Sequence, residues 1–268
     1  MLINNHLSNV ITNDIRISEN SYNKIANTLS TGLRINSASD DSSGLSIAER
    51  MTAIGRGKSA SIRNIQDGLS FLQITDGAIS SMVDMYQRIR ELAVQADNGT
   101  YSAKDRASMQ KEVKSLLNQI DNLADNTTFN GIKIFESDDN DLVLHVDETS
   151  KGTMDIRMYD LTTAGVGIDW ISVETGAQYA IDAVDSVISQ ISDMRADYGA
   201  YMNRLQFKLD NLSDSSIQNS SSKSRIEDID MSAAMSDLTK SELKFNTANT
   251  ILTKNFQYRK AAMQILMQ

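Results

Sequence analysis

The residues best able to carry chemistry are few and scattered. The only histidines are His6 and His145, no cysteine accompanies them, and neither sits in a two-histidine helical spacing that could hold zinc. The acidic run Asp138-Asp139-Asn140-Asp141 lacks the glycine and the closing glutamate of a calcium loop and reads as a solvated turn. No glycine-rich stretch has the spacing of a phosphate cradle. The expectation is therefore no catalytic residue, no metal site and no cofactor. An enzyme would need a pocket of convergent titratable groups, and nothing in the chain supplies one.

The elements around these residues explain why. The chain has 268 residues, 40% of them hydrophobic but only 6% aromatic, a lean supply for globular cores and enough for helices packed along narrow seams. It contains no proline, so very long helices meet no steric break. Without cysteine, neither disulfides nor thiolate metal sites are open to it. Against 35 acidic residues stand 26 basic ones, and the net charge of -9 argues against nucleic acid or an anionic membrane as partner. The first residues lack the basic-then-apolar order of a cleavable secretory signal, and no window is apolar enough for a membrane-spanning helix. A secreted product would need another route out of the cell.

Apolar residues Ile3, Leu7, Val10, Ile17, Tyr22, Ile25 and Leu29 suggest an amphipathic first helix, stopped at Thr31-Gly32. A Ser-, Asp- and Asn-rich connector follows. From about Leu45 to Ala96 the spacing of Ile62, Ile65, Leu69, Leu72, Ile79, Val83 and Tyr86 predicts one long helix, with Asp76 its polar interruption. Met109, Val113, Leu116, Ile120 and Leu123 mark a shorter antiparallel partner that ends before the turn Asn130-Gly131. Alternating apolar residues within 129–174 predict a small β-hairpin patch at the tip of the helices. Ile181, Val184, Ile188, Ile191, Tyr198, Met202, Leu205, Leu209 and Leu212 then hold a heptad register in which Arg195 alone is out of character. A Ser-rich stretch from 213 reads as a second connector before a last helix carrying Met235, Leu238, Phe245, Ala248, Leu252, Ala262 and Ile265.

The expected fold is mainly α, an elongated rod of antiparallel coiled-coil helices with the N- and C-terminal helices paired. Its segments are 1–44 (first helix and connector), 45–128 (long helices), 129–174 (hairpin), 175–212 (returning helix) and 213–268 (connector and last helix). A pair of terminal helices has one dry seam, so apolar residues off it, such as Leu2, Ile11, Phe256 and Met263, lack intramolecular cover. Burial against other copies, head to tail, would grow a helical polymer. A coiled-coil adaptor, by contrast, would close into a finite oligomer. The expected self-assembly residues are Leu2, Ile3, Leu7, Val10, Ile11, Phe245, Leu252, Phe256 and Ile265.

The run Leu29-Ser30-Thr31-Gly32-Leu33-Arg34-Ile35-Asn36-Ser37-Ala38, with Asp40-Asp41 and Gly44-Leu45 after it, resembles the N-terminal signature of bacterial flagellins. The resemblance continues through Asn64 to Gly68, Thr75 to Ala78, Gln87 to Gln95 and Phe129-Asn130-Gly131, and returns at Arg225 to Met231. It implies a structural subunit, not an enzyme, of the extracellular flagellar filament, used in motility. Its terminal helices would pair in an inner tube and its longer helices would form an outer tube, without a large variable domain. Terminal segments disordered in the lone subunit are also implied, with export unfolded through the flagellar secretion apparatus and an export chaperone on Arg225 to Gln268. Junction and cap proteins would be further partners. By motif match, an innate Toll-like receptor would contact Gln87, Arg88, Leu92, Gln95 and Glu112, with Arg88 and Leu92 exposed on one helical face. Leu2 and residues 254–268 depart from the family's usual ends, which leaves a minor filament subunit or the hook–filament junction protein as the alternative.

Overall fold

The computed structural model describes residues 2–135, 141–149 and 152–266, with no side-chain description for residues 2–8, 262, 263, 265 and 266. Five helices dominate: α1 (Leu2–Thr31), α2 (Ser42–Asp97), α3 (Ala103–Asn126), α4 (Ala177–Glu227) and α5 (Met231–Leu266). Four short strands lie between α3 and α4: β1 (Thr128–Phe129), β2 (Ile132–Lys133), β3 (Leu142–His145) and β4 (Thr153–Ile156). The mainly α class expected from periodicity is the class observed. The chain divides into two compact units, one made of residues up to Gly55 and from Ile217 onward, the other of Arg56–Ser216.

The Arg56–Ser216 unit is built on heptads. On α2 the row Ile65, Leu72, Ile79, Tyr86 and Ala93 is fully buried, and a neighbouring row, Thr75, Met82, Ile89 and Ala96, is buried as completely. A helix with two buried rows needs partners on two sides, which α4 and α3 supply. On α4 the buried row is Val184, Ile191, Tyr198, Leu205 and Leu212, while Ile181, Ile188, Met202 and Leu209 flank it half-buried. Arg195 occupies the flanking row, and Asp76 the corresponding place on α2. The two residues flagged as interruptions meet, with Arg195 Nε 2.8 Å from Asp76 Oδ1 and Nη2 3.4 Å from Oδ2. Arg90 pairs with Asp185 in the same way, and Lys58 with the Ser215 hydroxyl. These contacts fix α2 and α4 as antiparallel neighbours.

Helix α2 ends at Asp97, and α3 begins with a capping box in which Ser102 Oγ accepts from Asp105 N while Asp105 Oδ2 accepts from Ser102 N. The buried face of α3 is Met109, Gln110, Val113, Leu117, Ile120 and Ala124. Leu116 and Leu123, expected on that face, are only half-buried beside it. At Asn130-Gly131 both φ angles are positive, 51° and 80°, which sets the tight turn joining β1 to β2.

The β3–β4 hairpin lies along the flank of the helices rather than at the turn where α2 passes to α3, the tip expected for it. Asn64 Nδ2 donates to His145 O at 3.1 Å, Lys208 Nζ meets Asp147 Oδ2 at 2.7 Å, and Leu144 packs over Gly68. A Cβ on Gly68 would stand 2.6 Å from Leu144 Cδ1, so the hairpin sits this close only because position 68 has no side chain. Pairing also stops earlier than expected. Beyond Ile156 the chain to Gly176 forms turns strapped to α3, with Thr163 N and Oγ1 donating to Asp121 and buried Gln110 bridging Ile171 O and Val173 N. The Ser-rich stretch from 213 is not a break either, because α4 runs through it to Glu227. Asn219 Nδ2, bonded to Met51 O at 2.8 Å, helps hold it there.

Candidate functional site

The unit made of the chain's two ends rests on the pairing of α1 with α5. Side-chain oxygens start the helices that flank it: Asp41 Oδ1 accepts from Gly44 N for α2, and Asp230 Oδ1 accepts from Ser232 N and Ala233 N for α5. At Gly32 φ is 72°, the left-handed conformation that stops α1 and turns the chain toward residues 226–229. There Leu33 and Asp228 form an antiparallel bridge, with Arg34 N donating to Glu227 O at 2.6 Å and Ile229 N to Gly32 O at 3.1 Å. Arg34 Nη2 adds a bond to Ile226 O. This bridge sets the register in which α1 and α5 run back to back.

Asp40 organises the first connector. Its carboxylate takes bonds from Asn36 N, Ser37 N and Ser37 Oγ and lies 2.7 Å from Lys24 Nζ. Together these hold its pKa down at about 2, with Lys24 the largest cause.

Along α1 and α5 the burial is thin. Ile11, Thr28 and Ala234 are the buried seam, and Phe245 and Leu252 are half-buried beside it. Ile17, Leu243 and Ile251 stand open and, together with Asp14 and Lys244, line one shallow groove between the helices. Tyr22 and Phe245 line a second. Val10, Phe256 and Tyr258 are exposed as well, Phe256 by 52%. Exposed residues of this size, carried on one pair of helices with so thin a seam, call for an external partner.

Of the expected assembly residues, Val10 and Phe256 are exposed. Ile11 is not: it is only 8% exposed, because it lies on the α1–α5 seam, and the expectation that it lacks cover is corrected. Leu2, Ile3, Leu7 and Ile265, along with Met263, lie outside the described side chains. Sequence reasoning missed Leu243, Ile251 and Tyr258. Their signal was present, since Leu243, Phe245, Ile251, Leu252 and Phe256 surround α5 instead of lining one face, and a helix apolar all round is covered on more than one side.

The expected receptor face is reshaped. Arg88 is exposed and bonded through Nε and Nη2 to Glu112 Oε1 and through Nη1 to Glu91 Oε2, which raises its pKa. Gln95 Nε2 donates to Tyr101 Oη at 2.8 Å, and Gln87 faces solvent. Leu92, expected to be exposed beside Arg88, is 2% exposed. It continues the row Phe71, Ala78 and Met85 into the core, so it contributes packing and not a surface anchor. Among the described residues, no helix is apolar enough to cross a membrane and no cluster of His, Asp and Glu has the makings of a metal site.

A long-helix unit with thinly covered, bridged chain ends is the build of a polymer subunit, and the comparisons with known proteins specify which. Residues 3–139 match the bacterial flagellin N-terminal helical region and residues 181–266 the C-terminal helical region. The flagellin of Halalkalibacterium halodurans is 34% identical over 99% of this chain and all of its own length. The flagellar filament 33 kDa core protein of Treponema phagedenis is 33% identical over 99% of this chain and all of its own. The crystal structure of Bacillus cereus flagellin superposes with a TM-score of 0.52 at 32% identity, covering 56% of this chain and 88% of that one. The chain belongs to the bacterial flagellin family and is a structural subunit of the flagellar filament. These relatives carry filament names, so nothing favours the hook–filament junction reading over it.

Proposed function

We propose that polymerisation runs through the α1–α5 pair, whose exposed Val10, Ile17, Leu243, Ile251 and Phe256 are buried by successive copies. The observation that carries this reading is the contrast in cover: large apolar side chains stand open on both helices of the pair, while the long-helix unit keeps its own heptad rows dry. Copies stacked head to tail bury such a surface without closing the assembly, which is the geometry of a filament. Ordering of the two ends is coupled to this burial, because one thin seam supplies little of the free energy needed to fix two helices.

In the same reading the chain is exported unfolded through the flagellar secretion apparatus to the cell exterior, and until then an export chaperone covers Arg225 to Gln268, the end of α4 and the segment that becomes α5. Junction and cap proteins meet the same helices at the two ends of the filament. A Toll-like receptor would engage the exposed Gln87, Arg88, Gln95 and Glu112, with Leu92 holding α2 in place beneath them.

Deleting residues 1–33 or 225–268 should abolish seeded filament growth in electron micrographs while the thermal transition of the long-helix unit survives. Circular dichroism of the intact chain should show helicity rising as monomers join seeds. Long fibres from protein lacking both ends would overturn the proposal.

A further inference from the structure

The chain has no cysteine but 13 methionines, so thioether oxidation is the sulfur chemistry open to it. The structure distributes these residues unevenly. In the Arg56–Ser216 unit Met82, Met109 and Met154 are buried and the others half-buried. Met231 and Met235 alone, among the described side chains, are exposed methionines, at 50% and 51%. They stand four residues apart in the first turns of α5, hence on one face, which half-buried Leu238 extends. Between them Ala234 is buried in the α1–α5 seam, so the two thioethers project beside the contact that docks α5 onto α1. Asp230 caps this turn through Ser232 N and Ala233 N, so the face is held in place where α5 begins.

We propose that Met231 and Met235 form an oxidation site that regulates assembly of the subunit, with a peroxide as the oxidant. A lone pair on the thioether sulfur attacks one peroxide oxygen and the O–O bond breaks. Sulfur is oxidised to the sulfoxide, and the remaining oxygen leaves as water after taking up the proton. The product carries a strong hydrogen-bond acceptor on an apolar face. Burying that acceptor against another copy without a donor weakens the contact, and reduction by a methionine sulfoxide reductase restores the thioether. This inference rests on assembly through the α1–α5 pair.

The test exposes full-length monomer to hydrogen peroxide, follows each methionine by peptide mass spectrometry, and measures the critical concentration for seeded growth before and after. Met231 and Met235 should oxidise several-fold faster than Met82, Met109 and Met154, and the critical concentration should rise about tenfold. Sulfoxide reductase should reverse the rise. In Met231→Leu/Met235→Leu the ratio of treated to untreated critical concentration should fall to near unity, whatever its untreated value. Oxidation of the two at the rate of the buried methionines, or an undiminished ratio in the double variant, overturns the proposal. A treated chain that grows normally, while deletion of residues 1–33 still abolishes growth, overturns this inference and leaves the assembly surface standing.

Discussion

The two units of the chain draw on the same apolar alphabet and spend it differently. In the Arg56–Ser216 unit, α2 and α4 place apolar residues every seventh position, and each row meets another row of the same molecule. In the unit made from the chain ends, α1 and α5 carry Val10, Ile17, Leu243, Ile251 and Phe256 into solvent. The difference separates stability from assembly. The Arg56–Ser216 unit closes its heptad rows within one chain, although Trp170, Tyr179 and Phe207 stand exposed on it, and in the proposed reading the chain-end pair is completed by more chains. Substitutions of comparable size should therefore register in different measurements depending on the unit they strike.

The largest expected effect on the folded subunit is in the heptad core. Tyr198 is fully buried on α4 and packs edge-on against Tyr159 at 5.9 Å. Tyr198→Ala should cost about 3–5 kcal/mol in urea unfolding of the monomer, as large aromatic deletions in cores do. Phe256→Ala removes a ring of similar size from an exposed site, and its effect on monomer stability should stay within about 0.5 kcal/mol. That same variant should raise the critical concentration for filament growth. Equal losses of monomer stability at the two positions would erase the distinction between the units.

Next in size is the seat of the hairpin. At Gly68 a new side chain would push on Leu144, a flexible neighbour, so alanine asks for a small shift and valine for a larger one. Gly68→Val should cost about 1–3 kcal/mol, the usual penalty of overpacking. The loss should appear first as faster amide exchange over residues 142–156, with the α2–α4 pair still protected. Exchange rising equally throughout the unit would show that the hairpin and the helices fold as one.

Acid should touch both units through depressed carboxylates: Asp40 and Asp41 in the chain-end unit, Asp105 and Asp147 in the long-helix unit. Asp40 in the first connector and Asp147 in the hairpin loop both titrate at about 2, below their ordinary 3.8. Lys24 and the Ser37 hydroxyl hold Asp40 down, while Glu148 and Lys208 hold Asp147. A depressed carboxylate stabilises the fold above its unfolded pKa and loses that contribution as pH falls through the folded one. Between roughly pH 4 and 2, then, the connector and the hairpin loop should both loosen. Asp40→Asn should weaken the pH dependence of the chain-end unit and leave that of the hairpin loop unchanged, read by proton resonances of residues 24–44, with the remainder carried by Asp41.

Much of this was legible in the sequence, because heptad rows, absent proline and the Asn130-Gly131 turn are local signals. The α4 seam and the long helix from about Leu45, which the structure starts at Ser42, followed from them. What escaped depended on the partner. The periodicity of Leu92 fits a surface row as well as a buried one, and only the position of α3 decides between them. Ile11 lay off the seam drawn from α1 alone and on the seam once α5 was in place. The Ser-rich stretch from 213 reads as a break because serine competes for the local backbone, yet bonds such as Asn219 Nδ2 to Met51 O hold it helical. Gly68 carries no apolar signal at all, so the seat it makes for Leu144 could not be read from a pattern of side chains.

The smallest expected effect is the most informative about how the long helices choose their alignment. Asp76 and Arg195 replace apolar residues in the flanking rows of α2 and α4 and form a two-pronged pair, yet both side chains are more than a third exposed. A pair so hydrated contributes about 0.2–1 kcal/mol. A double-mutant cycle with Asp76→Asn and Arg195→Gln should return a coupling in that range, shrinking in high salt. The pair then serves alignment more than strength, because a shift of α4 by one heptad keeps the apolar rows matched but moves Arg195 about 10 Å away from Asp76. Replacing both with leucine should leave the urea midpoint unchanged or higher while allowing shifted pairings, seen as doubled amide resonances on α4. Single resonances in that variant would assign alignment to Arg90–Asp185 and the docked hairpin instead.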